Sequence, residues 1–130
     1  MRAIAWDTWA FLEVALDKPR RREVDALAAD EEVSIFTVRD VVVETFNHLA
    51  RRTRTAVARD WWHDLRAAPL RILDPDLDAL HAFVTSEARS GNVSLTDHAL
   101  ALAARQVGTP EVASEDRDFA AFGLIPLFAP

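Results

Sequence analysis

The sequence predicts an α/β fold, a central parallel sheet of about four to five strands flanked by helices, and three observations predict it. Short, mostly apolar runs without polar alternation, such as residues 3–6 and 33–36, suit strands buried on both faces. Most of the segments between such runs carry apolar residues at helical spacing. Strand-like and helix-like stretches alternate along the chain, which argues for parallel pairing through right-handed crossovers.

The elements follow in order. Residues 3–6, Ala-Ile-Ala-Trp, form the first expected strand and run into Asp7 and then Thr8, a helix-capping residue type. Residues 8–16 make a short helix or turn. Pro19 suits a helix start, and Val24, Leu27 and Ala28 carry that helix to about Asp30. A second strand is expected at 33–36. Thr37 with Asp40 three residues on reads as a capping-box-like start. The helix it opens bears Val38, Val42, Phe46 and Leu49 and ends in Arg51-Arg52, where cations suit the macrodipole. A helix over 55–67 shows Val57, Trp61 and Leu65 on one face and stops at Pro69. Residues 70–73 suit a short edge strand. Asp74-Pro75 opens a helix with Leu77, Leu80, His81 and Val84 on one side, ending around Gly91. Residues 97–106 are rich in Ala and Leu nearly all round, as in a buried helix, with Gly108 and Pro110 as stop signals. A strand at 111–114, a helical turn from Asp116 to Phe122 and a strand within 123–128 complete the chain. Pro126 confines the last of these to a sheet edge.

The bulk properties bound the function. A single domain over 1–130 is expected, with half the residues hydrophobic and no repeat or linker. No apolar run reaches the length of a membrane span, and the start turns acidic too soon for a secretory signal. Cysteine is absent, which removes thiol catalysis and cysteine metal sites and fits a reducing cytoplasm. The net charge of −6, taken alone, argues against a nucleic-acid binder. Yet every basic residue but Lys18 is arginine, whose fork pairs with phosphate. The clusters Arg20-Arg21-Arg22 and Arg51-Arg52 with Arg54 read either as solvated helix ends or as phosphate-steering rims around an acidic centre.

Four acids fall at related places. Asp7 follows the first strand, Asp116 follows the 111–114 strand, Asp97 opens a helix, and Glu44 lies one turn after Asp40. In an open α/β sheet, chemistry sits beyond the carboxyl ends of the strands at a switch in strand order. A switch between the first strand and the 111–114 strand sets Asp7 and Asp116 face to face, with Asp97 and Glu44 closing the ring from helices. Taken singly, each acid has a plainer reading: a turn residue for Asp7, a first-turn acid for Asp97, an ordinary helix former for Glu44, an exposed acid for Asp116. Two carboxylates about 5 Å apart repel by roughly 3 kcal/mol at an effective dielectric near 20. A hard divalent cation, Mg²⁺ or Mn²⁺, is the natural neutraliser. Such an ion acidifies a water and clamps a phosphate oxygen, which suits phosphodiester hydrolysis.

The ordered set Ala-Trp-Asp7-Thr, Val-Val-Val-Glu44, Leu-Thr-Asp97-His-Ala-Leu and Asp116-Arg-Asp-Phe119 resembles the PIN domain, and more narrowly a VapC-type toxin of a toxin–antitoxin pair. The resemblance covers essentially the whole chain. It implies a three-layer fold and a Mg²⁺- or Mn²⁺-dependent ribonuclease cutting RNA, often tRNA or rRNA. Asp7, Glu44, Asp97 and Asp116 would be its metal-holding, catalytic tetrad. It also implies a homodimer and a small cognate antitoxin. Two departures stand out: Trp9 sits where the family has a small polar residue, and Glu115 precedes Asp116. Asp116 is preferred over Asp118 because it begins the Asp-x-x-Phe unit. The pair Trp61-Trp62 is the candidate antitoxin surface, since adjacent helical residues cannot both face one core. His48, His81 and His98 have no zinc-like spacing and receive no role, His98 being read as polar surface. Rival readings meet obstacles. A haloacid-dehalogenase-type phosphatase needs a second Asp where Trp9 stands, and a receiver-like domain needs a late lysine. A PIN nuclease of RNA processing and a binding-only PIN-like module stay open as alternatives.

Overall fold

The computed structural model describes residues 1–86 and 93–130. Five strands, β1 (Arg2–Trp6), β2 (Val33–Val38), β3 (Arg71–Leu73), β4 (Glu111–Ala113) and β5 (Ile125–Pro126), form one sheet in the order β3-β2-β1-β4-β5. All four pairings are parallel. Apolar runs make this possible: Ile4, Ala5, Val112 and Ala113 are wholly buried, as strands covered on both faces must be. The helices are α1 (Thr8–Ala15), α2 (Arg21–Ala29), α3 (Arg39–Arg52), α4 (Thr55–Ala67), α5 (Leu77–Ser86) and α6 (Leu95–Val107), with a 3₁₀ helix at Arg117–Phe122. The chain steps one way across the sheet from β1 to β3, then returns past β1 to β4 and β5. With right-handed crossovers this sends the two sets of connecting helices to opposite faces.

The switch in strand order lies between β1 and β4, where Trp6 pairs with Ala113. Asp7 and Ser114 are the next residues on their strands, so both stand at the carboxyl edge of the switch. The expected edge strands are edges, and Pro126 sits on the outermost one. Helix α6 is buried from His98 to Ala104, as its all-round apolar sequence requires. Burying a side chain such as Leu100 contributes about 2 kcal/mol.

Several local expectations are corrected. Thr37 is no cap: β2 runs on to Val38, and Thr37, wholly buried, donates its hydroxyl to the Trp6 carbonyl at 2.8 Å. Its β-branched shape suits the strand, and the cross-strand carbonyl satisfies its oxygen. The cap of α1 is Asp7 rather than Thr8, because β1 ends at Trp6 and the Asp7 carboxylate accepts from the Thr8 N–H at 2.8 Å. On α5 the buried residues are Leu80 and Phe83, whereas Leu77 is 74% exposed and His81 is exposed. The apolar stripe is therefore rotated from the expected one. That helix's expected end near Gly91 lies outside the described residues. Among the described residues no helix is long and apolar enough to cross a membrane.

Candidate active site

At the carboxyl edge of β1 and β4 the structure opens a cleft of about 830 Å³. Its lining includes Asp7, Glu44, Asp97 and Asp116, so all four expected acids meet there. Each is delivered by a different device. Asp7 comes off the end of β1 and caps α1. Asp97 is the third residue of α6 in a reciprocal capping box: its N–H donates to Ser94 Oγ at 3.1 Å, and its carboxylate accepts from the Ser94 N–H at 3.4 Å. Asp116 caps the 3₁₀ helix, accepting from the Asp118 N–H at 2.9 Å. Glu44 rises from the middle of α3 and is exposed to the cleft. The plainer reading of Asp97, an acid completing a helix start, is therefore true as well; the same geometry aims it into the cleft.

Ser114 is the residue that sequence reasoning underused. It is wholly buried, donates its hydroxyl to Asp7 Oδ2 at 2.8 Å and accepts the Asp116 N–H at 3.0 Å. One small side chain thus fixes two acids from opposite sides of the switch. The available signal was a hydroxyl residue directly after an apolar strand that ends level with β1. Thr8, His48 and Arg117 also line the cleft. Thr8 Oγ1 is buried without a hydrogen-bond partner among the described residues.

The electrostatics are those of clustered like charge. Burial pushes the Asp7 carboxyl up from an ordinary 3.8 to about 7; the Ser114 and Thr8 bonds oppose this, while Asp97 and Glu44 reinforce it. Asp97 is also raised, first by burial, against the Ser94 bonds and with Asp116 and Glu44. Asp116, half-buried, bears on Asp97, while Asp118 and Glu115, both exposed, line the same cleft. None of the four acids has a basic partner in an ion pair among the described residues. Nor do three of them close into a ready-made coordination cluster among the described residues. The donor set fits a hard divalent cation on chemistry. All four are carboxylates, and the charge of the most buried is disfavoured by burial and by its acidic neighbours, with no basic side chain paired to it among the described residues.

The remaining candidates separate cleanly. His98 is buried rather than on the surface: its Nδ1–H donates to the Ser94 carbonyl at 2.8 Å, and its ring meets Phe83 and Phe122 edge-on. That bond and those rings explain its burial and leave it a structural part of the α6 start. His48 borders the cleft with its pKa lowered by burial and by Arg52, Lys18 and Arg51. Trp61 and Trp62 diverge as expected of adjacent helical residues. Trp61 packs on Phe11, with ring centroids 5.9 Å apart, while Trp62 is 38% exposed beneath Arg66.

The family model described as PIN domain matches residues 4–124. Among solved structures, VapC20 of Mycobacterium tuberculosis, described as a sarcin-ricin loop cleaving toxin, superposes with a TM-score of 0.82. It shares 20% identity, over 95% of this chain and 98% of that one, a likeness that speaks for the fold. No curated protein sequence matches the chain.

Proposed function

The chain belongs to the PIN domain family, and on that premise we propose that it is an endoribonuclease dependent on Mg²⁺ or Mn²⁺, acting as the toxin of a toxin–antitoxin pair. The observation that carries the reading is the convergence of Asp7, Glu44, Asp97 and Asp116 on one cleft at the sheet switch. Asp7, Asp97 and Asp116 would hold the cation, and Glu44 would hold it too or accept a proton from the attacking water. When bound, the ion supplies the positive charge that acidifies a water and offsets charge on the phosphate.

The protein's own contribution is positioning. Ser114 keeps Asp7 and Asp116 at a fixed offset, and the Ser94 box keeps Asp97 aimed inward. Burial removes water from around Asp7, so its carboxylate is left needing a positive partner. Glu44, the most exposed of the four, is the one most open to solvent. The VapC-type assignment, RNA as substrate with tRNA or rRNA as the target class, a cognate antitoxin, a homodimer and a cytoplasmic setting belong to the same proposal. They are supported by the resemblance, and the toxin assignment also by the likeness to VapC20.

The test is cleavage of purified RNA by the intact protein with Mn²⁺ or Mg²⁺ and with EDTA. Cutting is expected only with the metal, and Asp7→Asn or Asp97→Asn should lower the rate at least ~100-fold, beyond what loss of a mere supporting contact costs. Variants that cut as fast as the parent, with EDTA making no difference, would overturn the reading.

A further inference from the structure

Trp9 stands in the first turn of α1, two residues after Asp7, and lines the same cleft as the acids. It is half-buried. Behind it lies Phe128, with ring centroids 5.2 Å apart and planes at 41°. The guanidinium carbon of Arg20 stands over Phe128 at 5.0 Å from its centroid. Arg20 is held there by Glu23, to which Nε and Nη2 donate at 2.8 and 2.6 Å. Three flat groups thus form a ladder running outward from the acid cleft, with Trp9 as the member that reaches it.

The ladder is built on the strand ends that carry the acids. Phe128 donates its N–H to the Ser114 carbonyl at 3.0 Å, and Leu127 donates to the Val112 carbonyl at 2.9 Å. The ring that Trp9 packs on is therefore anchored to the Ser114 end of β4, beside the acids. A cleft walled by six carboxylates against one arginine, Arg117, among the described residues repels a polyanion, so charge alone does not bring a nucleic acid in. An uncharged base escapes that repulsion, and any base can stack on an indole face.

Resting on the nuclease reading, we propose that Trp9, backed by Phe128 and Arg20, is a stacking shelf for an unpaired base of the RNA beside the scissile phosphate. The substrate at the cleft is then single-stranded at that position. Trp9 binds and places the nucleotide, and the acids act on the adjoining linkage.

The experiment compares the parent with Trp9→Leu, which keeps apolar bulk, and Trp9→Phe, which keeps a π face. Cleavage of a fluorescent single-stranded RNA oligonucleotide in Mn²⁺ gives kcat and KM, and anisotropy in EDTA gives binding without cutting. Trp9→Leu is expected to raise KM and weaken binding roughly 5- to 100-fold with kcat within about twofold, and Trp9→Phe to recover most of the loss. A hairpin that pairs the target base should lose affinity for the parent but not for Trp9→Leu. Unchanged KM and binding in a Trp9→Leu variant that only melts earlier would overturn the shelf, making the rings simple packing, while leaving the nuclease standing. An RNA-binding parent that never cuts, with binding still lost in Trp9→Leu, would overturn the nuclease and keep the shelf.

Discussion

Trp6 and Asp7 are neighbours in the chain, yet they open onto opposite kinds of space. Trp6 forms the wall of an apolar cavity of about 280 Å³ with Phe11, Val14, Ile35, Trp61 and Leu65. Asp7 lines the acidic cleft. Each side leaves at least one buried group wanting. On the apolar side the Trp6 indole N–H has no hydrogen-bond partner among the described residues, a cost of about 1–3 kcal/mol. On the acidic side both Asp7 oxygens are hydrogen-bonded, but burial disfavours the charge and no basic residue pairs with it among the described residues, so the group holds its proton up to about 7. The apolar side repays its defect with aromatic packing. The acidic side stores its cost in the region where chemistry is proposed.

That contrast predicts which mutations cost stability and which restore it. The largest effect is expected at Phe11, whose ring meets Trp6 at 5.1 Å and Trp61 at 5.9 Å. Phe11→Ala should destabilise the fold by about 3–5 kcal/mol in urea unfolding. Cleavage measured well below the melting temperature should survive. A variant equally impaired in cleavage at low temperature would mean the two sides are not separate.

Asp7 should behave in the opposite sense. Its folded-state pKa lies above its unfolded value, so the folded state holds a proton that the unfolded chain releases between about pH 4 and 7. Stability from this group is fully present below pH 4 and is lost as pH rises through 7. Asp7→Asn cannot ionise; its amide can still accept from the Thr8 N–H and face the Ser114 hydroxyl. In EDTA the variant should be about 2–4 kcal/mol more stable than the parent at pH 8, with the gain vanishing near pH 4. Melting curves across that range decide it, and parallel profiles would show that Asp7 carries no burial cost.

The same contrast explains what was legible in the sequence. Alternating apolar runs and helices give the parallel sheet, and a parallel sheet delivers strand ends to one edge, so Asp7 and Asp116 were traceable to a common place. The buried character of α6 followed from Ala and Leu on every side. What stayed hidden depended on partners far away in the chain. Thr37 looks like a cap until the Trp6 carbonyl, 31 residues distant, claims its hydroxyl. His98 looks like surface until Phe83 and Phe122 close over it. Asp7 and Thr8 are both capping types, and only the point where β1 ends decides between them. On α5 the spacing of Leu77, Leu80, His81 and Val84 suggests one stripe, but Phe83, buried with Leu80 and packed on α6 and the 3₁₀ helix, sets the phase.

The smallest predicted effect falls where helix stability and the acidic side share a residue. Ser94→Ala removes the hydroxyl that accepts the Asp97 N–H and should cost about 1 kcal/mol, the ordinary value of a lost cap. The Ser94 backbone N–H still reaches the Asp97 carboxylate, and the Ser94 carbonyl still accepts from His98. Asp97 should therefore keep its aim, and cleavage should fall by less than about threefold. Asp97→Asn reverses the pattern, because its amide oxygen can still take the Ser94 N–H while the charge is gone: the cap survives and activity does not. A cycle of the two single variants and the double variant, read by urea unfolding and by RNA cleavage, separates these roles. If Ser94→Ala were to abolish cleavage while costing no more stability than expected, the hydroxyl itself would have to be orienting Asp97, and the capping box would be part of the catalytic geometry rather than its support.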